Sequence, residues 1–154
     1  MIIGNKDVFA LEFYKNENNP KMGYGKLWIQ NMFLGTKEDL IFLNGYLIGL
    51  LDEIINSQSI EINIIEKDKE EIFDLIKSTN EKRSEYIVLG STFTDDFEIY
   101  SFEKENQIFL LWKLRNDIEI IFDELKNYSK EIHFVQVSKN EVQNVKEKLL
   151  TEII

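Results

Sequence analysis

The sequence predicts an α+β domain in which a mainly antiparallel sheet, built from hairpins, packs against about four helices. Several segments alternate apolar and polar residues with period two, whereas others repeat apolar residues at helical spacing. The two kinds of segment do not follow one another with the regularity of a parallel βαβ fold. The chain has 154 residues and a single proline, the usual size of one folded unit. We therefore expect one α+β domain over residues 1–154.

The amino-terminal third predicts an antiparallel meander. Between residues 7 and 14, Phe9, Leu11 and Phe13 occupy every second position, as in a strand with one buried face. The same reasoning predicts the rest of the meander: a polar loop at 15–21, a strand at 23–29, a turn at 30–31 and a short strand at 32–34.

The middle of the chain predicts two helices separated by a strand. Thr36 and Asp39 have the spacing of a capping box, and leucines then recur at helical spacing, which predicts a helix over 37–56. Alternating isoleucines predict a strand at 59–65, and Asp68 is placed to cap a short helix that carries Ile72, Phe73 and Ile76. We expect 78–84 to be a polar linker.

The second half predicts another hairpin and two more helices. Strands at 97–102 and 107–114 are joined by a four-residue loop at 103–106, and the second of them is apolar on both faces, so we expect it to be central. The segment 117–128 fits helical spacing better than strand alternation. The last elements are a strand at 131–137 and a helix opened by a capping box of Ser138 and Glu141.

The charge and composition exclude several classes of function. The chain carries 28 acidic and 18 basic residues, a net charge of −10, with only Arg83 and Arg115 as guanidinium groups. This field repels polyanions and permits a basic protein partner, so we expect no direct binding to nucleic acid. With no cysteine there are no disulfides or thiolate sites.

The start of the chain does not have the pattern of a secretion signal, and the apolar stretch 41–51 is too short to span a bilayer. We therefore expect a cytoplasmic protein without a membrane partner.

No motif in the sequence carries recognisable catalytic chemistry. His133 stands alone in a strand, Asp95-Asp96 lacks the spaced ligands of a calcium loop, and Gly23-Tyr24-Gly25 lacks the third glycine of a dinucleotide site. Gly90-Ser91 lacks the second glycine of a nucleophile elbow. We therefore nominate no catalytic, cofactor-binding or metal-binding residue.

The aromatic residues are better explained as core than as a stacking platform for bases. Such platforms pair aromatic rings with grooves rich in lysine and arginine, whereas these rings have the spacing of a sheet core. The residues concerned are Tyr24, Trp28, Phe97, Tyr100 and Trp112.

Several segments together resemble the immunity protein 42 family, the bacterial antidotes encoded beside polymorphic toxins. They are Met1–Gly4, Phe9–Phe13, Gly25–Ile29 with Gly35, Phe97–Tyr100, Ile108–Trp112 and the closing strand and helix at 131–153. The resemblance implies a non-catalytic protein that needs no cofactor, binds one cognate toxin domain in the cytoplasm and blocks it.

An inhibitor of this kind needs a complementary surface, and the acidic charge suits a basic toxin such as a nuclease. The candidate contacts are acids expected to be exposed at element ends, with one aromatic anchor: Asp95, Asp96, Glu98, Glu103 and Glu105, with Tyr100. Two alternatives stay open from the sequence, a small carboxylate-dependent enzyme and a homo-oligomeric adaptor module. The identity of the toxin, its reaction, the contact face, the mode of block and the oligomeric state are left open.

Overall fold

Two antiparallel sheets and five helices make up residues 1–61 and 63–153, the part of the chain that the computed structural model describes. The strands are β1 (Ile2–Asn5), β2 (Phe9–Lys15), β3 (Met22–Ile29), β4 (Met32–Leu34), β5 (Ile41–Phe42), β6 (Phe97–Lys104), β7 (Gln107–Leu114) and β8 (His133–Ser138). The helices are α1 (Leu43–Ile55), α2 (Lys69–Lys77), α3 (Asn80–Tyr86), α4 (Asp123–Lys126) and α5 (Lys139–Glu152). The α+β class and the antiparallel, hairpin-based sheets are confirmed.

The first sheet has the order β1-β2-β3-β4, with β5 also paired to β3. The alternating residues Phe9, Leu11 and Phe13 are buried on its inner face, as predicted. Gly25 lies opposite α1, and a Cβ there would stand 2.8 Å from a methyl carbon of Leu47. A residue without a side chain at this position therefore lets the helix approach the sheet closely.

The second sheet has the order β6-β7-β8, so the prediction that β7 is central is confirmed. Trp112 of β7 is buried in the main core, which the inner face of the first sheet, α1 and α5 also line. Leu111 faces the other way and packs with residues of α2 and α3 in a second apolar cluster. Helices thus cover both faces of this strand, because both are apolar.

The predicted capping residues have mixed outcomes. Asp68 caps α2 by accepting a bond from the Glu71 amide at 2.8 Å, as predicted. Ser138 caps α5, but it accepts from the Asn140 amide rather than from Glu141, and the strand before it begins at His133 rather than at 131.

The prediction of a helix over 37–56 is wrong at its start. The helix begins at Leu43, and the two residues before it, Ile41 and Phe42, pair with β3. The Thr36 hydroxyl does not begin a helix, because it donates to Glu124 at 2.6 Å and accepts from the Glu38 amide at 3.1 Å.

The predicted strand at 59–65 is largely wrong. Ser59 forms a single parallel bridge to Glu103, and residues 60, 61 and 63–65 lie in no strand, while Ile62 falls outside the described residues. The backbone of Ile60 still bonds to Glu103, so the segment runs beside the edge of β6 without becoming a full strand.

Three further segments differ from the predictions. The expected polar linker at 78–84 contains most of α3. The hairpin loop between β6 and β7 has two residues rather than four, because Glu105 and Asn106 take φ values of 53° and 63°, as a tight type I′ turn requires. Of the helix predicted at 117–128 only α4 forms, since Ile118 and Ile121 are 41% and 67% exposed and supply no buried stripe.

Within the described part of the chain, no helix has the length and apolar character that crossing a membrane requires.

Candidate functional site around the fourth helix

The six residues nominated from the sequence do not form one patch. Asp95 and Asp96 precede β6, whereas Glu103 and Glu105 lie at its far end, roughly 20 Å or more away at about 3.3 Å per residue. Asp95 and Glu105 are exposed, and Glu103 is half-buried and pairs with Lys139 at 3.3 Å. The nominated acids therefore mark two separate ends of one strand.

The expectation that the nominated acids are exposed is wrong for two of them, and the nominated aromatic anchor is buried as well. Asp96 and Glu98 are only 8% and 6% exposed, and Tyr100 is completely buried. The Tyr100 hydroxyl donates to the Glu98 carboxylate, and Lys77 of α2 lies 3.4 Å from the same group. Burial, together with the bond to Glu98, raises the pKa of Tyr100. Glu98 and Tyr100 therefore hold α2 against the sheet.

Asp96 belongs to a group of three carboxylates near one arginine. Burial raises the pKa of Asp96, the negative charges of Asp95 and Asp39 raise it further, and Arg115 opposes them. Arg115 is fixed by its Nε, which donates to the Asp95 carbonyl at 3.0 Å, and by its amide, which donates to the Asp96 carbonyl at 2.8 Å. We call Asp39, Asp95 and Asp96 the acidic trio. Its negative charge exceeds the charge that Arg115 supplies.

Glu124 of α4 connects the loop that carries Asp39 to the rest of the structure. One carboxylate oxygen lies 2.6 Å from Lys26 Nζ, and the other accepts from the Thr36 hydroxyl at 2.6 Å and from the Lys37 amide. Burial alone would raise the pKa of Glu124, but these bonds and the charge of Lys26 outweigh it and hold the pKa below its ordinary value. The loop after β4 is therefore fastened to α4 by the Glu124 carboxylate and, in the other direction, by the Glu38 carboxylate, which accepts from the Glu124 amide at 2.8 Å.

A second carboxylate organises the outer face of the first sheet. Glu12 accepts from Tyr14 at 2.9 Å and from Trp28 at 3.2 Å, and Lys37 lies 3.6 Å away. Burial alone would raise the pKa of Glu12, yet these hydrogen bonds and the nearby lysine charges hold it below its ordinary value. Tyr14 remains 46% exposed beside this network. The face thus presents aromatic groups in fixed positions, a common property of residues that dominate protein interfaces.

The interpretation of the aromatic residues as core is right for three of the five. Phe97, Tyr100 and Trp112 are buried, whereas Tyr24 and Trp28 are half-buried on the outer face of the first sheet. The period-two pattern of the strand could have predicted that Tyr24 and Trp28 are not core residues, because residues that alternate with a buried set must point outward.

The lone histidine contacts aromatic rings. His133 stacks on Trp112 with ring centres 5.2 Å apart. Burial lowers its pKa, Lys69 lowers it further, and Glu131 opposes them. Among the described residues, no group of three or more His, Asp or Glu side chains is arranged to hold a metal ion.

Comparisons with known proteins agree with one another. A family model described as immunity protein 42 matches residues 1–152. The crystal structure of CdiI from Burkholderia dolosa AUO158 superposes with a TM-score of 0.65 at 14% sequence identity, and the match covers 99% of each chain. At that identity the superposition establishes a shared fold. No curated protein matches the sequence.

Proposed function

The chain belongs to the immunity protein 42 family, and on that basis we propose that it binds one cognate bacterial toxin domain and neutralises it by protein–protein contact. The match of the family model over residues 1–152 carries the proposal. The protein acts in the cytoplasm of the producing cell, needs no cofactor and performs no chemical step of its own.

The charge supports a basic toxin surface, such as that of a nuclease. The net charge of −10 favours fast capture of a positively charged partner. The acidic trio supports a more specific contact, because burial and then repulsion from Asp95 and Asp39 raise the pKa of Asp96, and a cation of the toxin placed there would relieve that repulsion. Glu103 and Glu105, at the other end of β6, form a second candidate contact. Glu98 and Tyr100 contribute by holding α2 in place.

Co-expression tests this function directly. The toxin domain encoded next to this gene should stop growth when expressed alone, and this protein should restore growth. The purified pair, made with a catalytically inactive toxin variant, should bind tightly at low salt and more weakly at high salt, because salt screens the charges. Failure to protect, together with failure to bind that neighbour, would reject the proposal.

Asp96→Asn is expected to stabilise the free protein and to weaken the complex. A carboxyl whose pKa is raised by folding binds more protons in the folded state than in the unfolded state. The free energy of unfolding of the protein therefore decreases as the pH rises above 3.8, the pKa of this group in the unfolded chain. Asparagine removes this penalty and also removes a charge from the acidic trio. The melting temperature of the variant should exceed that of the wild type at pH 7, and the difference should shrink as the pH falls toward 3.8.

Asp74→Asn is the matched control for this prediction. Asp74 is an exposed acid on α2, and the substitution makes the same change in net charge. Equal affinity of the two variants for the toxin would show that Asp96 contributes no more than its share of the total charge.

A further inference from the structure

A groove of opposite sign lies next to the acidic trio. It is a cavity of about 390 Å³ formed by the end of β7, the loop that follows it and α4. Four cationic side chains line it, Lys113, Arg115, Lys126 and Lys130, and apolar side chains such as Ile118 and Leu125 line the rest. None of its lining residues, all within the described part of the chain, is acidic. We call this cavity the basic groove.

The lysine charges of the basic groove are only weakly compensated within the described part of the protein. Lys126 pairs with Asp123 at 3.0 Å, but the Asp123 side chain is 84% exposed, and ion pairs of this kind contribute little. Arg115 donates its Nε to the uncharged Asp95 carbonyl, but the acidic trio beside it offsets its charge, so the weakly compensated cations are the three lysines. Lys113 and Lys130 form no ion pair with any described residue. Because the whole chain has a net charge of −10, such a concentration of cations is out of keeping with its average composition.

The lining of the basic groove indicates the chemistry of its partner. Carboxylates would pair with the lysine and arginine side chains, and apolar side chains would cover Ile118, which is 41% exposed. A nucleic acid is a poor fit, because the acidic trio beside Arg115 repels phosphates and the groove is partly apolar. A peptide segment that carries acidic residues between apolar ones fits both properties.

We infer that the basic groove receives an acidic and partly apolar segment of the toxin domain. This inference rests on the proposed function and makes it more specific. The acidic trio and the basic groove share Arg115 at their boundary, so the surface has two neighbouring regions of opposite charge. A toxin must match both regions in the right orientation. A toxin whose contact surface is basic throughout is repelled by the groove, because it places its own cations against the lysines.

The test compares two double variants that change the net charge equally. Lys126→Glu with Lys130→Glu reverses two charges of the basic groove, and Lys67→Glu with Lys148→Glu reverses two exposed lysines, one before α2 and one on α5. Affinity is measured for the inactive toxin domain encoded beside the gene. We expect the groove variant to bind at least about tenfold more weakly than the wild type, and the control to bind as tightly as the wild type or more tightly.

Each other outcome is decisive. Equal affinity of the groove and control variants overturns the basic groove as a contact, whereas failure of the wild type to bind removes the proposed function and this inference with it. If the wild type sediments as a dimer and the groove variant as a monomer, a second copy occupies the basic groove and the inference is wrong. Circular dichroism checks that the variants are folded. The double variant Lys126→Gln with Lys130→Gln, which removes the two charges without reversing them, should lose less affinity for the toxin domain than the glutamate variant does.

Discussion

Replacement of Glu124 by alanine is expected to lower the free energy of unfolding by about 3 kcal/mol. The Lys26 side chain is only 7% exposed and lies 2.6 Å from Glu124, so the substitution leaves a buried charge without its partner. The Thr36 hydroxyl and the Lys37 amide lose their acceptor at the same time. Urea denaturation of the two proteins at pH 7 measures the difference.

The double variant Lys26→Met with Glu124→Leu is the control for this prediction. It removes both charges and leaves neither of them buried alone, so it should be more stable than Glu124→Ala. The wild type should also lose this contribution in acid, because the lowered pKa of Glu124 means that its stabilising effect is present above the unfolded value of 4.5 and disappears as the pH falls through the folded value. A loss below about 0.5 kcal/mol for Glu124→Ala would show that water replaces the carboxylate without cost.

Replacement of Tyr128 by alanine is expected to cost about 3 kcal/mol as well, for a different reason. Its ring packs edge-on against Phe33 of the first sheet at 4.9 Å and against Phe97 of the second at 5.0 Å. Its hydroxyl accepts from Trp112 Nε1 at 2.8 Å and donates to the Phe33 carbonyl. The residue therefore connects the two sheets, and calorimetry should show a marked fall in the melting temperature of the variant.

Tyr128→Phe separates the ring from the hydroxyl. It should cost about 1–2 kcal/mol, because the indole N–H of Trp112 then lacks a partner. Burial raises the pKa of Tyr128 to about 12. The wild type consequently keeps the contribution of this group below the unfolded value of 10 and loses it as the pH rises toward about 12, so the difference between wild type and Tyr128→Phe should narrow over that range. If the difference in the free energy of unfolding stayed constant over that range, the whole effect of the substitution would come from packing.

Local patterns were sufficient where an element is stabilised by its own neighbours in the sequence. The alternation of Phe9, Leu11 and Phe13 predicted β2, the apolar character of both faces of 107–114 predicted a central β7, and Asp68 predicted the start of α2. In each case the residues that carry the pattern are also the residues that the structure buries or bonds locally.

Local patterns failed where a side chain bonds to a distant part of the chain. Thr36 has the sequence of a helix cap, but its hydroxyl bonds to Glu124, 88 residues further on. The candidate site shows the same limit, since the sequence singled out Asp95 and Asp96 but not Asp39 or Glu124. The contribution of Asp39 and Glu124 to the site depends on which loops come into contact in the folded chain, and residue spacing in the sequence does not predict that contact.

The bond between Thr36 and Glu124 also has a consequence for the timing of synthesis. The loop that bears Asp39 gains its bonds to Glu124 only when α4 is present. A ribosome must therefore translate past codon 126 before a nascent chain can display this surface. Products of premature termination upstream of that codon would lack these bonds, however well their first sheet had folded.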